Sequence, residues 1–110
     1  DPNRVKVVVD HQQRAMYFSR APIPYNRENG QSVQAYQHVG VYAFRRETLL
    51  KFPSLPASRL EQIEKLENLR WLENGIPVHL ALTEEPGISI DTPEDLERAR
   101  QYIRQQEKLI

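Results

Sequence analysis

Three features of the 110-residue chain predict an α/β fold. A β-branched run, Val5-Lys6-Val7-Val8-Val9, has the composition of a strand. A second segment, His38 to Arg45, alternates with the period of two that a strand requires. Two further stretches, opening at Ser58 and Thr92, carry helix-start chemistry ahead of long amphipathic segments. Strands interspersed with helices point to α/β architecture, and the length suits one domain.

In chain order, Val5 to Asp10 and Ala15 to Arg20 read as two strands joined by a turn at His11-Gln12-Gln13-Arg14, so Val5 to Arg20 is predicted to be a hairpin. Ala21-Pro22-Ile23-Pro24 forces extended backbone. Asn26 to Gln34 is polar, contains Gly30, lacks periodicity and reads as a mobile loop. In the strand from His38 to Arg45, alternation puts His38, Gly40, Tyr42 and Phe44 on one face. Gly40 there suggests close approach of a ligand or another backbone. Arg46 to Phe52 is predicted to be a short helix closed off by Pro53 and Pro56.

Ser58 and Glu61 have the spacing of a capping box, and the helix they open is predicted to run unbroken to Asn74, with Gly75 as its stop. Pro77 to Thr83 reads as a strand, followed by the acidic turn Glu84-Glu85-Pro86. The stretch from Gly87 to Arg100 then organises the end of the chain. Thr92 is an N-cap, Pro93 fits the first helical position, and Glu94 and Asp95 sit at the positive end of the dipole. This last helix is predicted over Pro93 to Glu107.

Lysine plus arginine and aspartate plus glutamate both total 15, so the formal net charge is zero. No basic field argues for nucleic acid. The absence of cysteine removes disulfides and thiolate chemistry and fits a reducing compartment. No apolar run approaches the roughly 18 residues of a membrane span. The opening Asp1-Pro2-Asn3-Arg4 shows no signal peptide and reads as the middle of a longer protein.

Chemistry is expected at a small set of residues. Asp91, just outside the last helix, has two readings: a metal-binding carboxylate on a loop held by a rigid helix, or local support for the cap. Glu61 and Glu64 share a helix face and can bind sugar hydroxyls or a cation. Against that, Glu61 is the third helical position of the capping box, and Glu64 can lie on a solvated face beside Lys65 or Arg59. His38 and Tyr42 either bind a polar ligand or satisfy each other. Arg20 either holds a carboxylate in bidentate fashion or is a surface arginine at a strand end. His11 and His79 are read as structural. No glycine-rich phosphate loop, zinc spacing or serine–histidine triad occurs.

Four blocks in order, Tyr17 to Pro24, His38 to Arg45, Leu60 to Arg70 and Ile90 to Glu97, resemble the 3-deoxy-manno-octulosonate (Kdo) cytidylyltransferases, also called CMP-Kdo synthetases. The resemblance implies the C-terminal part of a Rossmann-like nucleotide-diphospho-sugar transferase fold with a mixed sheet. It also implies a cytoplasmic, magnesium-dependent homodimer that couples CTP to the acidic sugar Kdo, releasing pyrophosphate, in lipopolysaccharide biosynthesis. By that resemblance Asp91 matches a catalytic, magnesium-binding aspartate. Arg20, His38, Tyr42, Glu61 and Glu64 match positions around the sugar pocket. The family's nucleotide-binding half, with its second metal aspartate, has no counterpart here, so residues 1–110 are expected to be a sugar-binding and dimer-forming portion without turnover of its own. Ser89 stands where the family often has glycine. A sialic-acid cytidylyltransferase and a non-catalytic, self-associating fragment are the alternative expectations.

Overall fold

A computed structural model of the chain describes residues 1–28, 34–84 and 88–108. The core of the expected loop at 26–34, with Gly30, lies outside the described residues, as do Glu85, Pro86 and Gly87.

The predicted hairpin is present. Strand β1 (Lys6–Val9) pairs antiparallel with β2 (Ala15–Ser19), with Val7 opposite Phe18. Asp10 organises the turn: its Oδ1 accepts from the backbone N–H groups of Gln12 (2.8 Å) and Arg14 (2.9 Å), and Gln13 takes φ 62°. On its other edge β1 pairs antiparallel with the two-residue β3 (Tyr36–Gln37), giving the order β2-β1-β3. All three described strands pair antiparallel.

The strand expected over His38–Arg45 does not form. One further ladder bond follows β3, from His38 N–H to Val5 O at 2.8 Å, and the chain then leaves the sheet because β1 offers no more edge. The alternation nonetheless survives, since His38, Tyr42 and Phe44 still face one side and stack in sequence. Gly40 faces open space, not the close neighbour its type suggested. The strand expected over Pro77–Thr83 reduces to a bridge between Arg14 and His79, flanked by Ala15 N–H to Val78 O and Leu80 N–H to Gln13 O, each 2.8 Å.

Helix α1 (Arg46–Lys51) matches expectation. The α-helical part ends before Pro53, and the chain continues through a 3-10 turn over Phe52–Ser54, where a proline in the first turn is tolerated, before stopping ahead of Pro56.

The helix expected from Ser58 to Asn74 is broken into α2 (Arg59–Glu64) and α3 (Asn68–Glu73). Lys65, at φ 56° and ψ 47°, takes the left-handed conformation, and Leu66 N–H reaches back to Glu61 O at 3.2 Å in a Schellman-type end. A second such end closes α3, with Gly75 at φ 74° and Ile76 N–H bonded to Trp71 O at 2.9 Å. The break folds α3 back along α2. Glu73 Oε2 accepts from Leu60 N–H at 3.1 Å, satisfying a donor in the first turn of α2. The corner packs on the sheet, where Val7, Phe18, Leu66 and Leu69 form the buried core.

Helix α4 (Pro93–Lys108) starts as predicted. Asp95 N–H donates to Thr92 Oγ1 and Thr92 N–H to Asp95 Oδ2, both at 3.1 Å, so the cap is reciprocal. Among the described residues, α4 shares no extended packing face with the sheet or with α1 to α3.

Candidate functional site

The end of β2 delivers Tyr17, Ser19 and Arg20 to the last residue of α2. Glu64 Oε1 accepts from Ser19 Oγ at 2.7 Å and from Tyr17 Oη at 3.5 Å, and its Oε2 accepts from Arg20 N–H at 3.0 Å. Glu64 is therefore a partly buried acceptor joined to the sheet, not a carboxylate on a solvated face beside Lys65 or Arg59. The strand register explains this, because Ser19 is buried and points its hydroxyl at the helix end. The Arg20 backbone N–H, reinforced by the Ser19 hydroxyl, holds the Glu64 carboxyl below its ordinary range.

The Arg20 guanidinium donates to three backbone carbonyls: Glu64 O at 2.8 Å, Pro2 O at 3.0 Å and Lys65 O at 3.1 Å. Two of these cap the C-terminal end of α2, where a cation is favoured. These bonds leave donors on both terminal nitrogens for a further acceptor.

Glu61 accepts from Ser58 N–H at 3.1 Å, as the capping box predicts, and forms a two-pronged ion pair with Arg70, Nε to Oε2 at 2.7 Å and Nη2 to Oε1 at 2.5 Å. The Arg70 hydrogen bonds hold the Glu61 carboxyl well below the ordinary carboxylate value, at about 2. Arg70 also lies over the Phe52 ring, 4.9 Å from its centroid.

Sequence reasoning missed Arg70. At about 100° per residue, nine positions along an unbroken helix put it on the face opposite Glu61. Only the turn at Lys65 brings the two together.

His38 and Tyr42 meet as the second reading anticipated, with Tyr42 Oη 2.8 Å from His38 Nε2. Asn68 Nδ2 donates to the Tyr42 oxygen at 3.4 Å. The direction of the His38–Tyr42 bond follows the imidazole tautomer, with Tyr42 Oη donating when Nε2 is bare and accepting when Nε2 carries the proton. Burial lowers the His38 pKa, which favours the neutral imidazole. Trp71 stands edge-on to Tyr42 (5.0 Å) and Phe44 (5.1 Å), and His38 stands edge-on to Phe18 (5.1 Å). The rings of His38, Tyr42, Phe44 and Trp71 wall a cleft of about 520 Å³ that Lys65 and Glu67 also line. The bend between α2 and α3 joins this cleft to the Arg20–Glu64 cluster.

Asp91 lies apart from both. The cap of α4 uses the Asp95 carboxylate, which also accepts from Asp91 N–H at 3.1 Å and pairs with Arg98. The carboxylate of Asp91 accepts only from Ser89 Oγ, at 2.7 Å, among the described residues. It is exposed and not consumed by the helix start. Among the described residues no group of three or more His, Cys, Asp or Glu is placed to hold a metal. A cation that takes one or two carboxylates and completes its shell with water and substrate phosphates, as magnesium does, fits a lone carboxylate of this kind.

A family model described as cytidylyltransferase matches residues 1–108. The chain is 56% identical over 104 residues to the 3-deoxy-manno-octulosonate cytidylyltransferase of Flavobacterium johnsoniae, covering 94% of this chain and 43% of that protein. It is 49% identical to the enzyme of the same name from Acidobacterium capsulatum, covering 98% and 44%. A solved structure of CMP:2-keto-3-deoxy-manno-octonic acid synthetase complexed with CTP superposes with a TM-score of 0.89 at 43% identity, over 96% of this chain and 44% of that one. The chain thus spans less than half the length of these relatives.

Proposed function

Because the chain belongs to the cytidylyltransferase family, we propose that it forms the sugar-binding and dimer-forming portion of a CMP-Kdo synthetase, in which CTP and Kdo yield CMP-Kdo and pyrophosphate. One observation carries this reading: the hydrogen-bonded His38 and Tyr42 lie in a cleft with Phe44 and Trp71, and Lys65, which lines the same cleft, accepts from the Arg20 that Glu64 holds. Convergent hydrogen-bonding groups against an aromatic wall suit a polyhydroxylated sugar. The remaining Arg20 donors suit its carboxylate.

In the proposed reaction the anomeric hydroxyl of the sugar attacks the α-phosphorus of CTP. An O–P bond forms, the bond to the β-phosphate oxygen breaks, and the hydroxyl proton is released. Arg20, Glu64, His38 and Tyr42 hold the sugar. Glu61 supports them through Arg70 and the start of α2. Asp91 contributes a carboxylate to magnesium, which when bound neutralises charge on the triphosphate. The same reading assigns a homodimer and a cytoplasmic location, which sedimentation and cell fractionation would check.

The test replaces the matching 104-residue stretch of the Flavobacterium johnsoniae relative with this chain. Kdo-dependent pyrophosphate release from CTP is expected in the chimera and none from the 110-residue chain alone. Release with sialic acid in preference to Kdo would assign the other acidic sugar, and no release with either would overturn the reading.

A further inference from the structure

Arg20 stands one residue beyond the last ladder pair of the hairpin, Lys6 opposite Ser19. Its backbone groups therefore have no strand partner and must be held by other means. The N–H donates to the Glu64 carboxylate at 3.0 Å. The carbonyl accepts from Lys6 Nζ at 2.8 Å. The root of the Arg20 side chain is thus fixed on both sides of its Cα.

Lys6 has a second grip. Its ammonium also donates to Asp1 O at 2.7 Å. Asp1 opens a tight turn, in which Arg4 N–H reaches Asp1 O at 3.1 Å and Asn3 N–H reaches Asp1 Oδ1 at 2.9 Å. The same turn presents Pro2 O, which accepts from Arg20 Nη1 at 3.0 Å. A closed ring of contacts results. It runs from Lys6 Nζ to Arg20 O, out along the arginine to Pro2 O, and back through Asp1 O to Lys6 Nζ. One ammonium sets both where the arginine starts and where its tip is held.

Lys6 is half-buried and pairs with no carboxylate among the described residues. A cation drawn partly out of water onto carbonyl dipoles needs those dipoles in place. Moving either the turn at Asp1 or the end of β2 would leave the ammonium unmatched, so the charge resists both movements. An apolar side chain would serve strand pairing at this position but would hold neither carbonyl.

We infer that Lys6 is a positioning residue for the proposed reaction: it aims the Arg20 guanidinium at the sugar carboxylate without itself touching the sugar. The inference rests on the sugar reading above, in which Arg20 holds that carboxylate.

The experiment is a double-mutant cycle in the chimera with Lys6→Met and Arg20→Met, read as kcat/KM for Kdo at saturating CTP. Lys6→Met is expected to lower kcat/KM for Kdo about tenfold, through KM, while the KM for CTP stays within about twofold. In the Arg20→Met background the same replacement is expected to lower it by less than about twofold, since the side chain that Lys6 aims is gone. A loss of general stability would instead act equally in both backgrounds. Equal losses in the two backgrounds, no loss from either single replacement, or equal rises in the KM for Kdo and for CTP would overturn the assignment. If Lys6→Met fails to fold, Lys6→Gln takes its place in the cycle. Its amide reaches one bond less far than the ammonium, and the same unequal losses are expected. Failure of both variants to fold would make Lys6 a determinant of folding and overturn the positioning role. Failure of the parent chimera to use Kdo would instead remove the substrate reading, and this inference with it.

Discussion

Glu61 and Glu64, three residues apart and alike in sequence, end in different surroundings. Glu64 is held by β2, whereas Glu61 is held by Arg70 of the next helix. The Glu61 carboxyl lies near 2 in the fold against an ordinary 4.5, so its contribution to stability is fully present above pH 4.5 and is lost as the pH falls from 4.5 towards 2. Urea denaturation across that window is expected to show a falling midpoint, and Arg70→Met is expected to flatten the fall. A slope unchanged by Arg70→Met would mean that the pair does not set it. His38 has the same sign at higher pH. Its pKa is lowered by burial, so acidification below the ordinary 6.5 is expected to weaken the fold by charging the ring beside Tyr42. Imidazole NMR titration of His38 in the parent chain and in Tyr42→Phe would follow this. At Asp91, Asp91→Asn in the chimera is expected to lower magnesium-dependent CMP-Kdo formation about a hundredfold or more, with melting temperature unchanged because the cap depends on Asp95.

Local chemistry predicted the ends of elements better than their continuity. Thr92, Pro93 and Asp95 announce the start of α4, and Gly75 announces the end of α3, because caps are written in neighbouring residues. The break at Lys65 has no such signal. Leu60, Ile63, Leu66 and Leu69 keep a helical period through it, and no glycine or proline marks it. What stabilises the break is tertiary: the Arg70–Glu61 pair, the Glu73 bond to Leu60 and the Arg20 bonds to the carbonyls of Glu64 and Lys65. The candidate site was legible residue by residue, while Asn68 and Arg70 enter it only through this fold-back. Lys65→Gly is expected to stabilise the chain by about 1 kcal/mol, since glycine adopts the left-handed conformation without a side-chain penalty. Thr92→Ala is expected to cost about 1 kcal/mol, read as lost helicity at the start of α4. For the strands the reverse holds. Period identified the shared face of His38, Tyr42 and Phe44, but a ladder needs a partner edge, and β1 supplies only enough for Tyr36 and Gln37.

The whole molecule is more open than its length implies. Its radius of gyration is 16.5 Å, against about 13 Å for a compact chain of this size. Its accessible surface is 9209 Å², against about 6300 Å² for a compact monomer of this mass. The excess includes large apolar side chains on unpaired extended segments, with Val41 84% and Leu82 65% exposed. Patches of this kind are covered in stable proteins by another surface. The isolated chain is therefore expected to bind a hydrophobic dye and to sediment with a mass above 12.9 kDa that rises with concentration. Val41→Lys with Leu82→Lys should lower both signals, and a dilution-independent mass of one chain would remove this account. None of the described helices is long and apolar enough to cross a membrane.

The left-handed residue between α2 and α3 also bears on how the protein can diversify. In one rigid rod, positions 61, 64 and 68 would share a stripe, and a change of pitch or tilt that suited one would disturb the others. With a pivot between them, position 64 answers to β2 and position 68 to the aromatic wall. Inherited substitutions at the two places should then combine without epistasis, so that the packing around position 68 drifts while the Arg20–Glu64 anchor is kept.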